Sequence, residues 1–266
     1  MLGVRHAGPL LCAAVALAAA AVTESAGAAR LTDGEALRRS QAAIGRTVDG
    51  IELTTVDGER LTFEALRGRP VVLSLVYTSC YHVCSGLTLR VRETVKVAQQ
   101  ALGPDTFTVV TVGFDTPNDT PGRMHAYARE RGAVQPGWYF ASADAEGIAR
   151  LIDAVGFSYF PSPKGFDHIT QTTILDTRGR VVLQVYGEEF APPLVVEPLK
   201  KLVWGQNLDR GTLEGLVNTV KLFCTIYDPT SGRYRFDYSL IVNIVAGSLA
   251  LGIALAGIVV GLRNVK

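Results

Sequence analysis

Two cysteines separated by three residues form the part of this sequence best suited to chemistry. Cys80 and Cys84 follow residues 70–77, an apolar and β-branched run that predicts a strand buried on both faces. An apolar periodicity of three and four residues then predicts a helix that ends at Gly103. If this helix begins near Cys80, both sulfur atoms lie on one face of it, and its N-terminus favours the thiolate form. Two such thiolates suit either a disulfide or a soft metal ion.

A third ligand would complete a copper site. A thioredoxin redox pair has two residues between its cysteines, and three residues leave more room for an ion. Cu(I) prefers thiolates and is commonly three-coordinate. His168 is the best candidate, because the loop before the last hairpin of a thioredoxin-like fold returns beside the first strand–helix corner, and Asp167 could orient it. His82, inside the cysteine loop, is a competing ligand, whereas His125 is expected on a helix surface.

The rest of the pattern predicts the elements that must position these residues. The sequence predicts a hairpin over 51–63, strands over 70–77, 107–114, 169–175 and 180–186, and further helices over 120–131, 144–155 and 193–204. Strands that alternate with helices and end in a hairpin and a helix predict a thioredoxin-like α/β fold with an N-terminal β-hairpin extension. We expect this domain to span residues 50–204.

Composition excludes several classes of protein. The chain has 266 residues, with 26 Lys and Arg against 25 Asp and Glu, so it lacks the basic excess of a nucleic-acid-binding protein. Hydrophobic residues make up 48%, which excludes a disordered acidic tail protein. Four cysteines are too few for a disulfide-rich scaffold. One globular domain with appendages at both ends remains.

The N-terminal appendage is predicted to be a signal peptide over residues 1–28. Arg5 supplies its positive charge, residues 10–22 are an apolar run of 13 residues, and Ala26-Gly27-Ala28 is a cleavage pattern. The alternative is an uncleaved anchor, although the run falls short of the roughly 20 residues that a membrane span needs. Residues 29–49 are polar and are expected to form an arm before the domain.

The C-terminal appendage is predicted to be a transmembrane helix over residues 239–262. These 24 residues carry no charge, and a helix of that length measures roughly 36 Å, enough to cross a bilayer core of about 30 Å. Residues 205–238 form a juxtamembrane segment and 263–266 a cytoplasmic tail. Flanking basic residues are nearly balanced, so the signal peptide decides the orientation: a single span in the inner membrane, with the main domain in the periplasm.

Cys224 lies in the juxtamembrane segment. A buried single thiol is the favoured interpretation, because free cysteine is among the most buried residue types. The alternative is a third redox-active or metal-binding thiol near the membrane surface. Apolar residues between Leu213 and Phe223 suggest an amphipathic helix before it.

Four segments resemble the Sco/SenC family of copper chaperones for respiratory oxidases. They are Gly68-Arg69-Pro70 with the following strand, the run Tyr77-Thr78-Ser79-Cys80-Tyr81-His82-Val83-Cys84, Phe114-Asp115 with Asp119-Thr120-Pro121, and Asp167-His168 with Leu175-Asp176. The resemblance implies a thioredoxin-like fold that binds one copper ion per chain. It places Cys80, Cys84 and His168 at the family's ligand positions.

The chain departs from the family pattern at three places. Tyr81 and Ser85 stand where many relatives have a proline after each cysteine, and Ile169 stands where serine or threonine is usual. Family members are commonly held by an N-terminal anchor, whereas the convincing span here is C-terminal. These changes keep the ligands and alter the loop, and with it the metal affinity and the redox potential.

Two functions follow from these residues. The first is a chaperone that delivers copper to the copper-bearing subunit of a cytochrome c oxidase, which is not an enzymatic role. The second is a thiol–disulfide oxidoreductase that reduces cysteines of an oxidase subunit before metallation, with Cys80 and Cys84 as its redox pair. His168 favours the first, because thiol exchange needs no imidazole ligand. In the oxidising periplasm either role needs a dithiol reductant as a partner.

Overall fold

The computed structural model describes residues 32–80, 83–163, 165–204 and 224–264. The predicted signal peptide over 1–28 and the predicted amphipathic helix over 213–223 lie outside these residues. Contacts divide the chain into residues 1–32 and 33–266, and the second unit carries all the elements described below.

The described part of the chain forms six helices and eleven strands. In chain order they are α1 (Asp33–Gln41), β1 (Glu52–Thr55), β2 (Arg60–Thr62), β3 (Val71–Val76), α2 (Val83–Leu102), β4 (Thr108–Gly113), α3 (Pro121–Glu130), β5 (Trp138–Ser142), α4 (Ala145–Val155), β6 (Tyr159–Ser162), β7 (Gly165–His168), β8 (Gln171–Leu175), β9 (Val181–Tyr186), α5 (Pro193–Trp204), β10 (Thr225–Asp228), β11 (Arg233–Phe236) and α6 (Ser239–Asn264).

Seven strands form one mixed sheet in the order β2-β1-β5-β4-β3-β8-β9. Strands β3, β4 and β5 run parallel, and β8 pairs antiparallel with β3. All six residues of β3 and of β4 are buried, as expected of strands covered on both faces. The carboxyl end of β3 is therefore a central point of the sheet, and the chain leaves it directly toward Cys80.

The predicted thioredoxin-like order is confirmed, with differences in detail. The predicted N-terminal hairpin forms as β1 and β2, and β1 also pairs with β5, so the hairpin extends the main sheet. Strand β5 was not predicted, because its five residues show no clear alternation and stand close to the next helix. The small sheet of β6 and β7, which carries His168 at its end, was not predicted either.

Helix α2, as described, begins three residues after Cys80, near which the cysteine spacing places its start. Its periodic face packs into the core through Leu87, Val91 and Val95, as predicted. As described, however, the helix starts at Val83, so Cys84 is its second residue and Cys80 lies in the turn before it. Residues 81 and 82 and the side chain of Cys84 lie outside the description, so a shared face for the two sulfur atoms stays a prediction from the spacing.

The polar arm predicted over residues 29–49 is partly folded onto the domain. Residues 33–41 form α1, and the Ser40 hydroxyl donates a hydrogen bond of 2.7 Å to the side chain of Gln171 in β8. Ala36 and Ala43 are buried, and Thr47 forms an isolated bridge with Arg180. The sequence gives little indication that this segment packs on the domain, because Ala36, Ser40 and Ala43 have small side chains.

The hairpin of β10 and β11 packs against the domain, with β11 against α2. Lys200 in α5 is only 2% exposed; its ammonium group donates to the carbonyl oxygen of Thr225 and, at 3.2 Å, to both carboxylate oxygens of Glu197. The Tyr234 ring lies 5.2 Å from the same nitrogen. A buried ammonium group needs such partners, so these contacts hold the hairpin in place.

A helix, α6, forms where the sequence predicts a transmembrane span over 239–262. Within the described residues of the chain, no helix is both long and apolar enough to cross a membrane. The predicted span is therefore not supported by the structure and stays a prediction from the sequence.

Candidate metal centre

Cys80 lies in the turn that links β3 to α2. Its backbone N–H donates to the carbonyl oxygen of Tyr77 at 3.2 Å, which closes a tight turn after the buried strand. The residue is 8% exposed. Cys84 is placed by its backbone in the first turn of α2, and its side chain lies outside the description. The structure thus puts both cysteines at the carboxyl end of the central strand.

His168 ends β7 and is enclosed by aromatic rings. The centroid of its ring lies 6.1 Å from that of Tyr77, 5.8 Å from that of Phe114 and 5.5 Å from that of Phe157. Its Nδ1 lies 3.1 Å from the carbonyl oxygen of Ile169, which can only accept a hydrogen bond. Nδ1 therefore carries the proton in the neutral ring, and Nε2 keeps the lone pair with which imidazole binds a metal ion.

The surroundings of His168 favour the neutral imidazole that metal binding needs. Burial lowers the pKa of its ring, against the opposing effects of the hydrogen bond to Ile169 and of the Cys80 thiol. Among the described side chains, no group of three His, Cys, Asp or Glu residues could hold a metal ion; Cys84 is not among those side chains.

Asp119 holds the turn that carries Cys80, and sequence reasoning assigned it no role. One carboxylate oxygen accepts hydrogen bonds from the backbone N–H of Thr78 at 2.8 Å and from its hydroxyl at 2.7 Å. The other oxygen accepts from the backbone N–H of Asp115 at 2.9 Å. Burial raises the pKa of this carboxyl group, against the effect of these three bonds. The only sequence signal was that Asp119 belongs to a segment of the family resemblance.

Gly113, at the end of β4, permits this arrangement. A Cβ at that position would lie 2.5 Å from Cβ of Asp119 and 2.8 Å from Sδ of Met124, both closer than atoms in contact can approach. Glycine is therefore required for the close approach of Asp119 to the strand end.

The remaining candidates lie in different places. Asp167 is half-buried beside His168 in β7, but the described bond of the imidazole at Nδ1 goes to Ile169, so its role in orienting the ring stays a prediction. His82 lies outside the described residues. His125 is exposed on α3, as the sequence predicts. Cys224 is a buried free thiol at the start of the C-terminal hairpin, which fits the favoured interpretation.

Several solved structures are similar to this chain. The chain is similar to an electron transfer protein from Aquifex aeolicus with 28% identity and a TM-score of 0.54, covering 59% of this chain and 92% of that one. It is similar to copper-bound ScoI of Arabidopsis thaliana with 18% identity and a TM-score of 0.51, covering 58% and 97%. It is also similar to BsSco, a member of the Sco family of cytochrome c oxidase assembly proteins, with 17% identity and a TM-score of 0.53, covering 60% and 94%.

The last two likenesses are under 25% identical and support the fold alone. No curated protein matches the chain. A family model for SCO1/SenC matches residues 41–203, which include both cysteines, Asp119 and His168. Because this match spans more than half of the 266 residues, the protein belongs to the SCO1/SenC family.

Proposed function

We propose that the protein is a copper chaperone for the assembly of a cytochrome c oxidase. In this role Cys80, Cys84 and Nε2 of His168 bind one Cu(I) ion as cargo, which passes to the copper-bearing subunit of the oxidase. Two thiolates and a neutral imidazole are ligands that Cu(I) accepts. Relatives of this family include a protein whose structure holds copper, ScoI of Arabidopsis thaliana.

The single observation that carries the proposal is the state of His168. Its Nδ1 is engaged with the Ile169 carbonyl, its Nε2 is left with a lone pair, and burial lowers the pKa of the ring. A thiol–disulfide oxidoreductase would have no use for such a ligand beside its cysteines. A metal site needs both the free lone pair and the fixed tautomer.

The domain would work in the periplasm, anchored by residues 239–262 with the tail in the cytoplasm. The uncharged run of 24 residues in the sequence supports an anchor. A reporter that is active only in the cytoplasm, fused after Lys266, should be active. Activity at that position from a reporter that works only in the periplasm would contradict this topology.

The oxidising compartment adds a requirement for a partner. Cys80 and Cys84 bind Cu(I) only as thiolates, so a dithiol reductant must keep them reduced before copper arrives. The full-length chain should therefore bind Cu(I) after reduction and not after oxidation. Equal binding in both states would show that these cysteines are not the ligands.

A matched pair of histidine variants tests the function. His168→Ala removes a proposed ligand and should lower Cu(I) affinity at least about 10–100-fold, the loss usual even for a group outside the ligand sphere. His125→Ala, on the surface of α3, should leave affinity unchanged. The dithiol reduction potential should hardly change in either variant, because the thiolates are set mainly by the helix terminus.

Oxidase assembly in cells then separates the two candidate functions. If His168→Ala loses both copper and assembly, the chaperone function is supported. If the variant loses copper but still assembles the oxidase fully, the copper proposal fails and the oxidoreductase function replaces it. Full copper affinity in His168→Ala would instead remove His168 as a ligand and make His82 the next candidate.

A further inference from the structure

We propose that Tyr77 is a positioning residue that fixes the His168 hairpin to the turn carrying Cys80. The inference rests on the proposed copper function and goes beyond it, because it names the residue that sets the distance between the imidazole and the thiol. Tyr77 directly follows β3 and is 4% exposed. It contacts one half of the site through its backbone and the other half through its ring.

The backbone contact is with the cysteine turn. The carbonyl oxygen of Tyr77 accepts the hydrogen bond from the N–H of Cys80 at 3.2 Å. Any displacement of the Tyr77 backbone at the strand end is therefore passed to Cys80.

The ring contacts are with the hairpin of β6 and β7. The Tyr77 ring meets Phe166 edge-on, with centroids 5.2 Å apart and planes at 86°, and meets His168 at 6.1 Å and 83°. Its hydroxyl oxygen lies 3.5 Å from the backbone nitrogen of Phe166, which donates to it. Edge-on ring pairs of this kind are favourable beyond the area that they bury.

Gly165 allows the hairpin to approach the Tyr77 ring this closely. Its φ is +114°, a region that side chains disfavour, and a Cβ there would lie 2.8 Å from the Tyr77 hydroxyl oxygen and 3.0 Å from Cε2. The backbone of the hairpin is thus in direct contact with the edge of the Tyr77 ring. A larger residue at either side of this contact would separate the two elements.

These contacts matter because β6 and β7 form a two-stranded sheet of their own and, within the part of the chain that the structure describes, pair with no other strand. An isolated two-stranded hairpin is marginally stable at best, so ring packing must set its position. The Phe114 ring packs against the rings of both Tyr77 and His168. Tyr77 belongs to this cluster of rings, and its backbone carbonyl also accepts the hydrogen bond from Cys80. It therefore places ligand and thiol together.

The test uses the full-length chain and compares two buried rings. Tyr77→Leu should lower Cu(I) affinity about 10–100-fold, the usual effect of losing a group that orients a ligand. Tyr77→Phe keeps the ring and should lose much less. Phe140→Leu removes a ring whose described ring contacts are with Trp138 and Tyr127 and not with Tyr77 or His168, and it should leave affinity unchanged.

A double variant distinguishes positioning from general damage. If Tyr77 acts through His168, then Tyr77→Leu in a His168→Ala chain should cause no further loss of Cu(I) affinity. The proposal would be overturned if the losses of Cu(I) affinity caused by Tyr77→Leu and His168→Ala added in the double variant. It would also be overturned if Tyr77→Leu and Phe140→Leu lost equal affinity. Should Tyr77→Leu fail to fold, Gly165→Ala takes its place: it should lower affinity, and Tyr77→Phe in the same chain should restore part of it.

A measurement without copper keeps this inference separate from the proposed function. Backbone amides of the hairpin should exchange hydrogen faster in Tyr77→Leu than in Phe140→Leu, with no metal present. If the parent chain binds no Cu(I), the proposed function fails, and the exchange rates still decide whether Tyr77 holds the hairpin. Equal exchange in the two variants would refute it.

Discussion

Replacing Asp119 by alanine should loosen the cysteine turn and weaken copper binding. The carboxylate accepts two hydrogen bonds from Thr78 and one from the N–H of Asp115, at 2.7–2.9 Å. At about 1 kcal/mol of net stability each, their loss lowers the free energy of unfolding by about 3 kcal/mol. The two bonds from Thr78, which lies two residues before Cys80, account for about 2 kcal/mol of this loss. If copper binds only chains with an ordered turn, affinity falls by up to about thirtyfold.

Asp115 provides the matched control for this experiment. It is the same residue type in the same loop, but its carboxylate contacts only the exposed side-chain amide of Asn118, at 3.2 Å, among the described hydrogen bonds. Asp115→Ala leaves its backbone N–H in place and should change the free energy of unfolding by less than about 0.5 kcal/mol. Both variants are made in the full-length chain. Urea denaturation reports stability, and competition with a chelator reports Cu(I) affinity.

Two results would refute this reasoning. One is an Asp119→Ala chain that is destabilised yet binds Cu(I) as tightly as the parent, since the turn would then not depend on the carboxylate. The other is an equal loss of affinity in Asp115→Ala, since the effect would then come from charge in the loop and not from the bonds to Thr78.

Three further predictions concern the supports of the site. Lys200→Met removes the buried ammonium group that holds the C-terminal hairpin and should speed proteolysis before that hairpin. Lys201→Met changes an exposed side chain and should not speed it. Equal cleavage rates in the two variants would show that other contacts hold the hairpin. Gly113→Ala places a Cβ 2.5 Å from Asp119 and should destabilise by about 1–3 kcal/mol, while Gly122→Ala, with open space around it, should be tolerated; thermal unfolding measures both. Burial raises the pKa of Asp119, so folding disfavours its charged form, and the stability that this titration contributes is present at low pH and is lost as pH rises through the raised pKa. The free energy of unfolding of the parent, relative to that of Asp119→Asn, should therefore fall as pH rises from the unfolded-state pKa through the raised pKa. A difference that does not depend on pH would contradict the raised pKa.

Local patterns predicted most of the fold because its main elements have strong signals. The continuous apolar run of β3 and the periodic face of α2 are long enough to identify from sequence. Thr120 and Pro121 mark the start of α3 as predicted, and Asp144 and Gly156 bound α4. Short strands such as β5 and the hairpin of β6 and β7 are stabilised by partners distant in sequence, which no local window contains.

The site was predictable only for residues whose chemistry shows in their type. Cys80 and Cys84 are conspicuous by spacing, and His168 by the loop in which it lies. Asp119 and Tyr77 are ordinary residues in sequence. Their contacts join positions 41 and 89 residues apart, for Asp119 with Thr78 and for Tyr77 with Phe166, so only the folded chain displays them.

The two supports explain how this chain can do without the prolines that many relatives have after each cysteine. Proline restricts the backbone directly, by fixing φ. Tyr81 and Ser85 carry no ring that fixes φ in this way, and the turn before them is restricted by hydrogen bonds: Asp119 accepts from Thr78, and the Tyr77 carbonyl accepts from Cys80. Tyr77 also packs on the His168 hairpin, so the same residue contacts both the turn that carries Cys80 and the strand that carries the imidazole. A change that displaces either of these elements should therefore displace the other.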